Sequence, residues 1–379
     1  MPGSKHAERL APVAIVAVLL STLSFATDAQ TQASRPSEAL AAQAEAARVS
    51  GRADDAIALY EKALIARPYW AEGWWRLATL RYDRDEYAKA AAAFEKTTSL
   101  DPKAGTAWVM LGLCEFKLGK HDAALAHIQK GRKLGTSADP QFRHVMLFHE
   151  AELLLQKAEF ERAQETLNVL SADAVDERDL ILKLGLAVLR IRPADLREED
   201  AVERQLVERA GRAEHLAARK RFEEAQRAYQ QLADDFPKLR NVQYALGRYF
   251  IATRQPDNAV AAFLREIENS PDHVPARLGI AAVKADTDPG AALEYAEAAV
   301  RLNPRIPLGH YLLGKLLLGT SQIDRAISEL ETAERSVRDD PGVYYALGRA
   351  YARAGRTQDA ERARATFQRL MQERERADR

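Results

Sequence analysis

Residues 240–273 read RNVQYALGRYFIATRQPDNAVAAFLREIENSPDH, and what decides the fold is that this pattern returns elsewhere at a fixed interval. A large residue before Leu-Gly (Tyr244, Leu246, Gly247) is followed by Ala259, Phe263 and finally Pro271. Pro237 lies thirty-four residues before Pro271 and is preceded in the same places by Ala225, Tyr229 and Leu232. In the N-terminal half Pro68 and Pro102 are also thirty-four apart, with Ala56, Tyr60 and Ala63 before the first and Ala90, Phe94 and Thr97 before the second. The element of large residue, Leu and Gly or Ala recurs at Trp74 to Ala78, Trp108 to Gly112, Tyr311 to Gly314 and Tyr344 to Gly348. Ala and Gly let two helices approach closely, the large side chains fill the space beside them, and the proline ends the second helix. One such unit cannot bury its own apolar face, so the units must stack.

These residues resemble the tetratricopeptide repeat, which has a large residue at position 4, Leu-Gly at 7 and 8, Ala at 20, an aromatic at 24, Ala at 27 and Pro at 32. The resemblance implies an all-α, right-handed superhelical solenoid of about nine helix-turn-helix units, of the type met in secreted or membrane-anchored bacterial multi-repeat proteins. On that phase an N-terminal array (37–177) holds units 37–70, 71–104, 105–138 and 144–177, and a C-terminal array (206–374) holds units 206–239, 240–273, 274–306, 307–340 and 341–374. The unit at 274–306 is one residue short, and the unit at 144–177 lacks both Leu-Gly and the terminal proline. Between the arrays, Leu180 to Ile191 (LILKLGLAVLRI) is apolar on most faces, and residues 178–205 are read as a buried helix and a charged connector. Residues 375–379 form a charged tail. Asp54, Asp122, Glu161, Glu223, Asp257 and Asp324 all occupy position 18, where an acid complements the exposed N–H groups of a second helix.

Composition bounds the function. The chain of 379 residues carries 55 basic and 55 acidic side chains, so a nucleic-acid or anionic-membrane binder acting through net charge is not expected. A single cysteine excludes a disulfide framework. Lys5, His6 and Arg9 precede the uncharged run LAPVAIVAVLLSTLSFA at 10–26, which predicts a signal peptide over 1–29 followed by a linker at 30–36. The run also stands at the lower limit for an uncleaved membrane anchor, and either reading predicts an extracytoplasmic chain, periplasmic or secreted.

No catalytic constellation emerges. Gly309 to Lys315 approaches a phosphate loop, but Leu316 stands where Ser or Thr is needed, and Gly314 already serves the repeat. His144 and His149 are five apart, His121 and His127 six, and Cys114 has no Cys-x-x-Cys partner. The sequence therefore predicts no catalytic residue, cofactor or metal.

The resemblance also implies that first helices line a concave surface through positions 2, 5, 9, 12 and 13. Position 5 carries Trp75, Phe148, Tyr244, Tyr311 and Tyr345, and position 9 carries Arg248, Lys315 and Arg349. Tyr82 and Phe116 add aromatic surface in the N-terminal half. This composition suits an extended protein or peptide segment with acidic groups, bound by a scaffold that assembles an envelope complex. A glycan or lipid stacked on the same rings is the alternative, and position-5 aromatics also fill space between neighbouring helices.

Overall fold

The computed structural model describes residues 34–173, 178–197 and 200–377, so the expected signal peptide lies outside the described residues. Within them the chain is all-α, and it divides at Leu154/Leu155 into two compact bodies. The first contains the hairpins α1 (Ser34–Val49) with α2 (Ala53–Ala66), α3 (Ala71–Tyr82) with α4 (Tyr87–Leu100), and α5 (Gly105–Lys117) with α6 (His121–Leu134). It also holds most of α7 (Pro140–Gln156). The second begins with α8 (Phe160–Ala172), α9 (Arg178–Leu189) and α10 (Ala201–Ala218), the last packed on α11 (Phe222–Asp235). Four further hairpins follow: α12 (Val242–Ala252) with α13 (Pro256–Asn269), α14 (Val274–Lys284) with α15 (Pro289–Leu302), α16 (Pro307–Gly319) with α17 (Ile323–Ser336), and α18 (Pro341–Arg353) with α19 (Thr357–Ala377). α1 starts inside the stretch read as linker, and α19 runs into the stretch read as tail.

The repeat residues explain where helices start and stop. Arg67, Asp101, Phe236 and Ser270 each precede a repeat proline, and their φ angles of −131°, −127°, −128° and −136° leave the helical region as the proline ring demands. Inside the hairpins, position 15 takes a left-handed φ between 57° and 74°: Gly51, Gly119 and Gly355, but also Asp85, Ala158, Lys220, Arg254 and Ser321. The following N–H then bonds five residues back, as in Glu86 to Arg81 O at 2.9 Å and Gln322 to Leu317 O at 2.9 Å, closing the first helix. The short unit at 274–306 has lost this residue. Its second helix starts one position early, and Asp288 caps it by accepting from Ala291 N at 3.1 Å.

Position 8 sets the hairpin spacing. A Cβ on Gly112 would stand 2.8 Å from Ala124 O, one on Gly247 2.4 Å from the Phe263 ring, and one on Gly314 2.6 Å from Leu330 Cγ, which places position 8 against positions 20 and 24. Position 4 ties four of the hairpins to the preceding turn. Trp74 Nε1 donates to Pro68 O (2.9 Å), Trp108 Nε1 to Pro102 O (3.0 Å), His310 Nε2 to Pro304 O (2.9 Å) and Tyr344 Oη to Arg338 O (3.0 Å). The position-18 acids stand in the first turns of second helices, and two also cross to a neighbouring turn, Asp54 to Arg84 and Glu161 to Arg190.

The helix read between the arrays is α9, buried over Leu184 to Leu189. It packs on α10 more intimately than a connector would, because two glycines meet there. A Cβ on Gly185 would lie 1.9 Å from Val207 O, and one on Gly211 1.8 Å from Ile181 O. Because α8 packs on both α9 and α10, it belongs to the second body. The compact division therefore falls earlier than the sequence boundary between the arrays. Gly211→Ala should destabilise the protein by about 2–3 kcal/mol in urea unfolding, since backbone and not a flexible side chain must move. Gly319→Ala, with open space at its Cβ, should stay within about 1 kcal/mol of wild type.

Candidate functional site on the first-helix face

In five of the hairpins position 9 is matched to position 24. In the hairpins whose position 24 is tyrosine, it is a glutamate that accepts the buried phenol: Tyr60 Oη to Glu45 Oε2 at 2.7 Å and Tyr229 Oη to Glu214 Oε2 at 2.5 Å. In three hairpins of the last part of the second body, position 24 is Phe263, Leu330 or Arg364, and no phenol at that position needs an acceptor. There position 9 is Arg248, Lys315 or Arg349, and among the described residues none of the three makes an ion pair. Lys315 and Arg349 are exposed, and Arg248 is half-buried.

Two of these bases stand over the ring one turn earlier. Lys315 Nζ lies 5.4 Å from the centre of Tyr311, and the Arg349 guanidinium 5.8 Å from that of Tyr345. The Tyr345 ring is 54% exposed and is backed by Phe367 of α19 at 5.7 Å. Burial raises the Tyr311 hydroxyl above the ordinary phenol value, so it serves as a neutral hydrogen-bonding group. Between α14 and α16 a cleft of about 360 Å³ opens, lined by Ala282, Ala285, Asp286, Leu312, Lys315 and Gly319 among others. Arg353, at position 13 of the last hairpin, donates to Leu318 O at 2.6 Å and ties α18 to the end of α16.

Tyr244 departs from the sequence expectation of a groove residue. It is only 7% exposed, its ring lies 4.9 Å from His273 and 5.7 Å from Phe263, and its hydroxyl donates to Glu161 Oε1 at 3.4 Å. Burial pushes that hydroxyl up to about 12. The reason is a polar junction that occupies this side of α12. Glu266, fully buried, accepts from Asn241 N at 2.8 Å and Tyr244 N at 3.1 Å, capping the helix. Asn241 in turn donates to Leu189 O at 2.8 Å and faces His273 Nε2 at 2.9 Å, while His273 Nδ1 accepts from Ala276 N at 3.0 Å. The first-helix stripe is thus interrupted where α9 meets α12.

In the first body the structure gathers rings that the sequence reading left separate. Trp75 packs edge-on against buried Phe94 at 5.4 Å, and Tyr82 against Tyr87 at 5.5 Å. The latter contact recurs thirty-four residues on as Phe116 stacked on His121 at 5.9 Å. Phe116 and Phe148 both touch His149, at 4.5 and 6.2 Å, and His144 stacks on Phe148 at 5.9 Å. These histidines were missed as part of the site, although the thirty-four-residue step from Tyr87 to His121 is readable in the sequence. Trp75, Tyr82, Phe116 and Phe148 are all half-buried, each offering one ring edge or face to solvent. Among the described residues no group of three or more His, Cys, Asp or Glu is gathered to hold a metal ion, and no helix is long and apolar enough to cross a membrane.

The tetratricopeptide-repeat family model matches residues 76–139, 211–274 and 311–370. Among solved structures, that of MamA is similar at 19% identity over 43% of this chain and 95% of that one, with a TM-score of 0.39. MamA residues 41 to the end from Desulfovibrio magneticus RS-1 give 22% over 46% and 98%, with a TM-score of 0.40. The APC/C hetero-tetramer Cut9–Hcn1 gives 16% over 89% and 80%, with a TM-score of 0.35. These are likenesses of repeat architecture and carry no argument about partners. No curated protein matches the chain.

Two predictions separate packing from surface. Tyr244→Ala should cost about 3–4 kcal/mol in unfolding free energy, whereas Tyr345→Ala should cost less than about 1. The second concerns pH. Burial lowers His273 from 6.5 to about 4. A folded value below the unfolded one means that its stabilising contribution is complete above pH 6.5 and lost as pH falls toward 4, by roughly 3 kcal/mol. Glu266, raised by burial, acts with the opposite sign. Unfolding free energies measured from pH 7 to 4 should therefore fall more steeply for wild type than for His273→Asn, which keeps a capping acceptor.

Proposed function

The chain is a tetratricopeptide-repeat protein, and from that premise we propose that it is a non-catalytic scaffold holding an extended, acidic segment of a partner protein on the first-helix face of its second body. The observation that carries this reading is the release of position 9. Among the described residues Arg248, Lys315 and Arg349 form no ion pair, and two of them stand beside tyrosines that offer both contact area and a hydroxyl. The aromatic and histidine surface around Phe116 and Phe148 in the first body supplies a second, apolar contact for the same class of partner.

The basic start and apolar run of residues 1–26 support an extracytoplasmic setting, periplasmic or secreted, with the scaffold serving assembly of an envelope complex. Membrane attachment in this reading comes only through an uncleaved N-terminal segment. A neutral glycan or lipid would use the exposed Tyr345 ring but leave the bases without a task.

The triple variant Arg248→Ala, Lys315→Ala and Arg349→Ala should unfold within about 2 kcal/mol of wild type, because Lys315 and Arg349 are exposed and Arg248 is half-buried. Affinity capture from an envelope extract, followed by mass spectrometry, should recover acidic-segment proteins with wild type and not with the variant. That recovery should weaken as salt rises from about 0.05 to 0.5 M. Equal recovery by the variant would remove the second-body face from the account, and a wild type that binds a glycan array but captures no protein would favour the alternative.

A further inference from the structure

The spacing of the free bases defines a sequence frame for the partner. α12, α14, α16 and α18 succeed one another as neighbours along one face of the second body. Adjacent packed helices stand about 8–10 Å apart, and an extended chain advances about 3.3 Å per residue, so one repeat corresponds to about three partner residues. Position 9 reads Arg248, Ala282, Lys315 and Arg349 along these four helices. The base is missing only on α14, and there the cleft lined by Ala282, Ala285, Asp286, Leu312 and Lys315 opens.

We infer that the face reads an extended segment with acidic side chains at its first, seventh and tenth residues and an uncharged apolar side chain at the fourth. The fourth residue faces Ala282, where position 9 supplies no base, and the cleft beside it has room for a leucine-sized group, so a charge is not required there as it is at the other three positions. In the reverse chain direction the same frame places acids at the first, fourth and tenth residues and the apolar group at the seventh. Arg353 takes no part, because its guanidinium is held by Leu318 O. This frame rests on the acidic-segment reading above and adds to it a register that total charge alone does not impose.

Fluorescence anisotropy with labelled twelve-residue Ser/Pro peptides and the full chain tests it at low salt. One probe carries Asp at residues one, seven and ten with Leu at four, a second carries the mirrored arrangement, and a third has the same composition with the three acids contiguous. One of the two spaced peptides should bind about tenfold more tightly than the contiguous isomer. Changing its Arg349-facing Asp to Asn should weaken wild type about fivefold and Arg349→Ala less than about twofold. If the contiguous isomer binds as well as both spaced peptides, the frame is overturned while the acidic-segment reading stands. If no acidic peptide binds better than an uncharged Ser/Pro control, both fail.

Discussion

The hairpins depend on how near two helix backbones can come. At position 8 a glycine lets the second helix pass so closely that an added Cβ on Gly112, Gly247 or Gly314 would stand 2.4–2.8 Å from the residues at positions 20 or 24. A small residue there, Gly247 in one hairpin and Ala44, Ala78 and Ala213 in others, leaves room for the position-24 side chain to reach the centre of the hairpin, where Phe263, Tyr60, Phe94 and Tyr229 are at most 1% exposed. Burying one such ring stabilises by roughly 1.5–3 kcal/mol, and repetition along the chain supplies a continuous core that no single hairpin has. The other recurring devices hold this contact in register. The left-handed residue at position 15 turns the chain between helices, and the position-4 donor ties the next helix to the turn before it.

From the same constraint follows the freedom that function requires. A tyrosine at position 24 carries a hydroxyl into the core, and that hydroxyl commits position 9 to a glutamate. Phenylalanine or leucine there fills the space without asking for an acceptor. Position 9 can then carry another side chain, and beside Phe263 and Leu330 the chain places Arg248 and Lys315. Neutral total charge and a locally basic face are compatible because many acids are held elsewhere, Asp272 by Arg240, Glu297 by Arg325 and Asp359 by Arg356 and Arg362.

The repeat phase was legible because its marks are side-chain types imposed by sterics: glycine where backbones touch, proline where a helix must end. First helices begin at position 1 of the units beginning at 71, 105, 274, 307 and 341, as the phase requires. Much less legible was the left-handed turn, since Asp85, Ala158, Lys220, Arg254 and Ser321 adopt it without the glycine that would announce it. The close crossing of α9 and α10 was hidden as well, because Gly185 and Gly211 lie off the thirty-four-residue phase. Tyr244 shows the limit for the site. Its position in the repeat matches that of Tyr311 and Tyr345, but Asn241 at the start of its own helix and Glu161, Glu266 and His273 from three other stretches of chain close over it.

The central claim is that the first helices near the C-terminus bind while the second helices hold the stack together. Hydrogen–deuterium exchange of the whole chain, with and without a saturating acidic peptide that binds it, tests this most directly. The account predicts added protection over α16 and α18, around Tyr311 to Lys315 and Tyr345 to Arg349, with α17 and α19 unchanged. Protection concentrated on the second helices, or spread evenly over the second body, would contradict it.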